Sequence, residues 1–255
     1  MKVVVVIPAR YASTRLPAKP LADINGKSMI QRVWEQGRAA RGVHDVFVAT
    51  DDARIVRAVE SFGGRAVMTS DAHASGTDRL AEVATRHHAD VYVNLQGDLP
   101  FAPPAMIETV IRAFDDPTVR LSTLARVITD AADVYNPNVV KVVMDRRGNA
   151  LYFSRSPIPH IRDRADRGLD APPADAYYQH FGLYGYRRDT LLEFAGWPKG
   201  RLEELEKLEQ LRALEQGCPI RVMVTAQTTQ EVNTPEDLER ARADAAGVTT
   251  VGRMP

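Results

Sequence analysis

Three cations fall within ten residues, directly after the first strongly β-prone run. They are Arg10, Arg15 and Lys19 in the stretch IPARYASTRLPAKPL, residues 7–21, which follows KVVVV. Each guanidinium can fork onto phosphate oxygens and the ammonium adds a compact point charge, so the set suits polyphosphate binding. Three such charges match a triphosphate better than a monophosphate. Pro8, Pro17 and Pro20 each fix φ and disfavour helix just before themselves, which predicts a stiff loop held without backbone hydrogen bonds. A loop already stiff loses less entropy on gripping a ligand. The stretch has neither the G-x-x-x-x-G-K-[ST] spacing of a P-loop nor the G-x-G-x-x-G of a dinucleotide turn. A solvated basic loop is the plainer alternative. Farther on, NLQGDLP ends an apolar run with Gln96 and Asp98, where an acid either meets a ligand or starts a turn.

These side chains need elements to position them. Apolar runs at 3–7, 45–50, 65–69 and 90–95 alternate with helical patterns at 29–40, 53–62 and near 78–87. Such alternation predicts βαβ units and a parallel sheet covered on both faces. Ligands of open parallel sheets bind beyond the carboxyl ends of the strands, where the cationic loop and Asp98 fall. Asp51 or Asp52 can cap the second helix, the glycines of FGG (62–64) can stop it, and Pro103-Pro104 can open another. From about 120 to 190 the pattern turns to strands, with a hairpin around Asp145 to Asn149 and a further strand in HFGLYGY. Leu202, Leu205, Leu208, Leu211 and Leu214, spaced by three, predict one amphipathic helix stopped by Gly217. After a strand in IRVMVT, Thr234, Pro235 and Asp237 open a last helix. The expected architecture is α/β, a single domain over 1–255 with a mixed, mainly parallel sheet and a β-rich insertion at about 120–190.

Composition narrows the function classes. Thirty-three basic and 33 acidic residues give a formal charge of +0 over 255 residues, so bulk attraction to nucleic acid or an anionic membrane is not expected. One cysteine, Cys218, excludes an internal disulfide framework or a thiolate metal cluster and fits a reducing compartment. No apolar run reaches membrane-spanning length and the N-terminus lacks a signal pattern, so a soluble cytoplasmic protein is expected.

The opening loop closely resembles the nucleotidyltransferase signature of the CMP-Kdo synthetases, which activate the sugar acid 3-deoxy-manno-octulosonate (Kdo) with CTP. The likeness continues in order through VFVATDD, SGTDRLAEV, VNLQGDLP, YNPNVVKVV, HFGLYGYR, LEKLEQLR and NTPEDLERAR. It implies a three-layer α/β/α nucleotidyltransferase fold, CMP transfer from CTP with pyrophosphate release, Mg²⁺ as cofactor and a homodimer. By this similarity Arg10, Ser13, Arg15 and Lys19 would bind the CTP phosphates, with Arg10, Lys19 and Asp98 catalytic. Ser75 and Thr77 would lie near the nucleoside, and Asp98 would hold Mg²⁺. Arg79, Gln96, His180, Tyr184, Glu209 and Gln210 would face the acceptor. Plainer readings stand beside these: Thr77 capping a helix with Asp78 in its first turn, a satisfied core histidine at 180, and an exposed helix face at Glu209 and Gln210.

Two departures concern the metal. The family usually has an acid after the QGD motif, where this chain has Leu99, and an Asp before TPEDL, where it has Asn233. Asn233 is thus a weaker metal candidate, since an amide oxygen lacks carboxylate charge. Lys199 and Arg201 add positive charge before the leucine-spaced segment. These changes keep a second acceptor class open, a small phosphonate such as phosphonoformate, as well as a catalytically weak nucleotide-binding regulator.

Overall fold

The computed structural model describes residues 1–12, 16–162 and 176–247. The chain divides into two compact units, Met1–Glu108 with the segment from Thr228 onward, and Thr109–Gln227. The second unit is wider than the insertion expected at about 120–190, because the short helices and the strand that follow belong with it.

The first unit holds β1 (Val3–Ala9), β2 (Asp23–Ile24), β3 (Lys27–Ser28), α1 (Met29–Ala39), β4 (Asp45–Thr50), α2 (Ala53–Ser61), β5 (Arg65–Met68), α3 (Gly76–Arg86) and β6 (Val91–Asn94). Four of the strands form a parallel sheet in the order β6-β1-β4-β5, while β2 and β3 make a small antiparallel ribbon. Val3 to Ile7 are all at most 1% exposed, which is why β1 is an unbroken apolar run rather than an alternating one. Asp52, not Asp51, caps α2 by accepting from the Arg54 amide at 2.8 Å.

Two expectations fail here. Ser75, not Thr77, caps α3: its Oγ accepts from the Asp78 amide (3.2 Å) and Asp78 Oδ2 accepts from the Ser75 amide (2.9 Å). Thr77 falls inside the helix and is buried. The proline-rich loop is also not free of backbone hydrogen bonds. Pro8 lies within β1, and Lys19–Leu21 forms a 3₁₀ turn in which the amides of Lys19, Leu21 and Ala22 donate to Leu16, Ala18 and Lys19. The donors skip Pro20, so the imino acids stiffen the turn without costing it a bond.

α4 (Pro104–Arg112), whose residues from Thr109 onward belong to the second unit, leads to β7 (Leu121–Val127), α5 (Ala131–Tyr135), β8 (Lys141–Met144), β9 (Ala150–Ser154), β10 (Tyr178–Arg187), α6 (Arg188–Gly196), α7 (Arg201–Glu206), α8 (Leu211–Glu215) and β11 (Ile220–Val224). β11 runs parallel to β7, which pairs antiparallel with β10, and the β8–β9 hairpin joins β10 antiparallel. The single helix expected over 202–214 is two short ones, separated at Lys207, whose φ is 55°. Each step of three residues falls about 60° short of a full turn, so five leucines sweep about 240° of a straight helix. One helix cannot bury them all. The break leaves Leu205 exposed while Leu208 and Leu211 are buried, and the buried Glu203–Arg212 pair, at 2.6 and 2.8 Å, ties the two pieces together.

β10 carries a register shift between Phe181 and Tyr184. The carbonyls of Phe181 and Leu183 lie 3.1 and 2.9 Å from Thr123 Oγ1, which also lies 2.9 Å from His180 Nε2. With the hydroxyl donating to a carbonyl, the network assigns the His180 proton to Nε2. Burial lowers the His180 pKa from 6.5 to about 3. Among the described residues no helix is long and apolar enough to cross a membrane.

Because the native imidazole resists a proton that the unfolded chain accepts below pH 6.5, its contribution is complete above that pH and is lost as pH falls toward 3. The slope is at most about 1.4 kcal/mol per pH unit. Thermal melts between pH 7 and 5 should show a steeper fall in Tm for the natural chain than for His180→Asn, which can still donate but does not titrate; parallel curves would contradict this. A second expectation concerns Gly97, where a Cβ would sit 2.8 Å from the Pro8 carbonyl oxygen. Gly97→Ala should cost about 1–3 kcal/mol in urea unfolding, the usual range for overpacking.

Candidate active site

The site is built at the carboxyl end of β1 in the first unit. Val6 O accepts from Leu95 N at 3.1 Å, and two residues on Pro8 points the same way after β6 has ended at Asn94, so its missing N–H removes no ladder bond. Two glycines let neighbouring segments close over Pro8: Gly97 after β6, and Gly76 at the start of α3, whose Cβ would lie 3.1 Å from the proline ring.

Lys19 is the centre of this edge. Its ammonium donates to Asp98 Oδ2 and Asn233 Oδ1, each at 2.9 Å, with the Lys19 and Asp98 side chains only 16% and 23% exposed. Asp98 is positioned from its backbone, since its carbonyl accepts from the Val232 amide at 2.9 Å. Asn233 precedes the C-terminal helix Pro235–Ala245, where Asp237 Oδ2 accepts from the amides of Asn233 and Thr234, each at 2.9 Å. Its Nδ2 donates to Glu231 at 2.8 Å, which turns Oδ1 toward Lys19. Leu99 is buried in the core at 5% exposure, so an acid at this position would face desolvation.

Arg10 is exposed and donates to the backbone carbonyl of His73, whose Nε2 lies 2.5 Å from Glu82 Oε2. Ser13 and Arg15 lie outside the described residues. Ser75 is committed to its cap, and Gln96 donates to Asn94 at 3.3 Å. Arg79 is fully buried and is not an exposed acceptor contact: it pairs with Asp51 and donates to Thr69 Oγ1 (2.7 Å) and Ser70 O (3.2 Å). It fixes the segment between β5 and α3, and so positions the loop that carries His73. The acid pair DD after β4 carries a sequence signal for this contact, since Asp52 caps α2 and Asp51 is left to pair with Arg79.

The remaining expected residues lie in the second unit. His180 is a satisfied core histidine, its ring 4.9 Å from Phe153 and 5.5 Å from Tyr184. Burial pushes the Tyr184 phenol well above 10, helped by Tyr186 and Glu209, so the hydroxyl stays protonated. Glu209 approaches Arg212 at 3.8 Å. Gln210 is 5% exposed, and its buried Nε2 has no hydrogen-bond partner among the described residues. Glu209 and Gln210 are therefore not an exposed helix face; they occupy the break between α7 and α8.

The oxygen set at Lys19 fits a hard cation only in company. One carboxylate and one amide oxygen suit a Mg²⁺ ion that keeps waters and substrate phosphates as its other ligands. Among the described residues no group of three or more His, Cys, Asp or Glu could hold a metal by itself.

Comparison with known proteins bears on the family and the fold. The cytidylyltransferase family profile matches residues 4–227. The 3-deoxy-manno-octulosonate cytidylyltransferase of Geobacter sulfurreducens is 54% identical over 244 residues, covering 94% of this chain and 98% of that protein. Its Escherichia coli counterpart is 48% identical, covering 95% of each. A solved CMP:2-keto-3-deoxy-manno-octonic acid synthetase complexed with CTP superposes with a TM-score of 0.90 at 48% identity, over 97% of this chain and 99% of that one. The fold is thus the α/β nucleotidyltransferase fold, and the chain belongs to the cytidylyltransferase family.

Proposed function

We propose that this cytidylyltransferase transfers CMP from CTP to 3-deoxy-manno-octulosonate. The observation that carries the reading is the likeness along 97% of the chain to a synthetase solved with CTP, reinforced by curated relatives that bear this acceptor in their names. An acceptor hydroxyl oxygen forms a bond to the α-phosphorus as the bond from that phosphorus to the bridging oxygen breaks. The electron pair leaves with pyrophosphate, and the hydroxyl proton passes to solvent.

Each part of the chain has a task in that step. Lys19, together with Arg10, Ser13 and Arg15, binds the triphosphate and stabilises charge developing on the leaving group. Lys19 reaches this role by leaving Asp98 and Asn233, whose oxygens are then free to hold Mg²⁺. Mg²⁺ held there would offset negative charge on the phosphate oxygens. In the first unit Ser75 and Thr77 border the nucleoside and Gln96 meets the acceptor, with Arg79 acting by positioning. We place the protein in the cytoplasm as a homodimer, consistent with a lone buried thiol and with exposed apolar side chains at Tyr135, Leu151 and Leu205.

Pyrophosphate release with CTP, Mg²⁺ and a panel of Kdo and small phosphonates, with mass spectrometry of each adduct, tests the reading. Kdo should give the highest kcat/KM; faster turnover of a phosphonate would overturn the acceptor, and CTP binding without release would favour a regulator. Lys19→Met should lower kcat/KM for CTP about 10²-fold or more, the usual effect of removing one transition-state donor, and should also lower Tm, since Asp98 loses its partner. For the metal, Mn²⁺ paramagnetic resonance should detect weak binding to the free protein and stronger binding with CTP. Asn233→Asp should strengthen both; unchanged affinity in that variant would remove Asn233 from the metal shell.

A further inference from the structure

The residue after Arg10 is tied to α2. The Arg54 guanidinium lies over the Tyr11 ring, 3.3 Å from its centroid, and so joins the start of the cationic loop to the first turn of a helix elsewhere in the first unit. Arg54 is itself held. It donates through Nε to Asp52 Oδ1 (2.9 Å) and through Nη2 to Asp52 Oδ2 (2.6 Å), and the same carboxylate caps the helix at the Arg54 amide. The Asp52 amide in turn donates to Thr50 Oγ1 at 3.2 Å, and Thr50 is fully buried at the end of β4. The hydrogen bond from Arg54 lowers the Asp52 pKa to about 2, so both groups stay charged at ordinary pH.

The Asp52–Arg54 pair is neutral as a whole, so Arg54 offers the loop a guanidinium plane rather than a spare charge for an anion. An exposed ion pair adds little to stability, and the cap needs only the carboxylate. Neither role accounts for the stack. A half-buried ring seated on a guanidinium that is gripped at two nitrogens fixes where the backbone turns after β1, since a cation over an aromatic face is held in a defined place. Arg10 is fastened separately, by its donation to the His73 carbonyl. That contact is lost when the donating nitrogen turns to a phosphate oxygen. The stack survives the change, because a phosphate does not compete for the face of Tyr11. We propose that Arg54 is a positioning residue for triphosphate binding, acting through Tyr11 to keep the loop of Arg10 in place at the nucleotide edge. The inference rests on the assignment of that loop to the CTP phosphates.

Calorimetric titration of the full chain with CTP and with CMP, each with Mg²⁺ and without an acceptor, tests it, so the identity of the acceptor does not enter. Tyr11→Leu and Arg54→Met should each weaken CTP binding about two- to fivefold, the worth of an exposed cation–π contact. CMP binding should weaken less, because CMP lacks the two outer phosphates that the loop would hold. Tyr11→Phe keeps the ring and should bind CTP as the natural chain does. The double variant Tyr11→Leu/Arg54→Met should be no weaker than either single one, since all three remove the same contact. Additive losses, equal losses for CTP and CMP, or a Tyr11→Phe variant as weak as Tyr11→Leu would each overturn the proposal while leaving CTP binding intact. A natural chain that binds no CTP would overturn the loop assignment and the proposal with it.

Discussion

The first unit depends on one ammonium group. Lys19 joins three segments that the sequence keeps far apart, being 79 residues from Asp98 and 214 from Asn233. A lone carboxylate at this depth would be poorly solvated, and a lone lysine there would be no better off. Together they satisfy each other and hold the loop after β1, the turn after β6 and the approach to the last helix in one place. The contact is also expendable, since the partners are partly exposed and each can exchange the other for substrate oxygens. A cation that is already desolvated and aimed loses little on meeting a triphosphate.

The second unit solves a different problem, that of placing polar groups in an apolar sheet. Its bulge releases carbonyls from the ladder, and a single threonine hydroxyl lies within reach of two of them and of the neighbouring imidazole. Burial then keeps both the imidazole and the Tyr184 phenol uncharged across ordinary pH. Gln210 leaves an amide nitrogen buried without a hydrogen-bond partner among the described residues. Such a group costs stability unless a ligand meets it.

What could be read from the sequence was what depends on local spacing. The alternation of apolar runs with helical patterns, the Thr234–Pro235–Asp237 cap and the Asp145–Asn149 turn rest on residues a few positions apart, and the structure has them as expected. The cationic loop could be singled out because its charges are close in sequence. The link from Lys19 to Asp98 and Asn233 was not legible, because it is wholly tertiary. The pairing of Arg79 was not legible either, because its partner Asp51 lies 28 residues away. The leucine series misled because a regular spacing of three resembles a helical face locally but drifts around the axis over its full length.

The return of the chain to the first unit after residue 227 has a consequence for synthesis. Asn233 and the capped helix behind it are made after the whole of the second unit, yet they complete the edge that begins at β1. A nascent chain released early would expose Lys19 and Asp98 beside an unfinished core, since Val232 and Leu238 pack with Ile24 and Met29. Assembly of the nucleotide edge therefore waits until residues 228–245 have left the ribosome, after the whole of the second unit has been made.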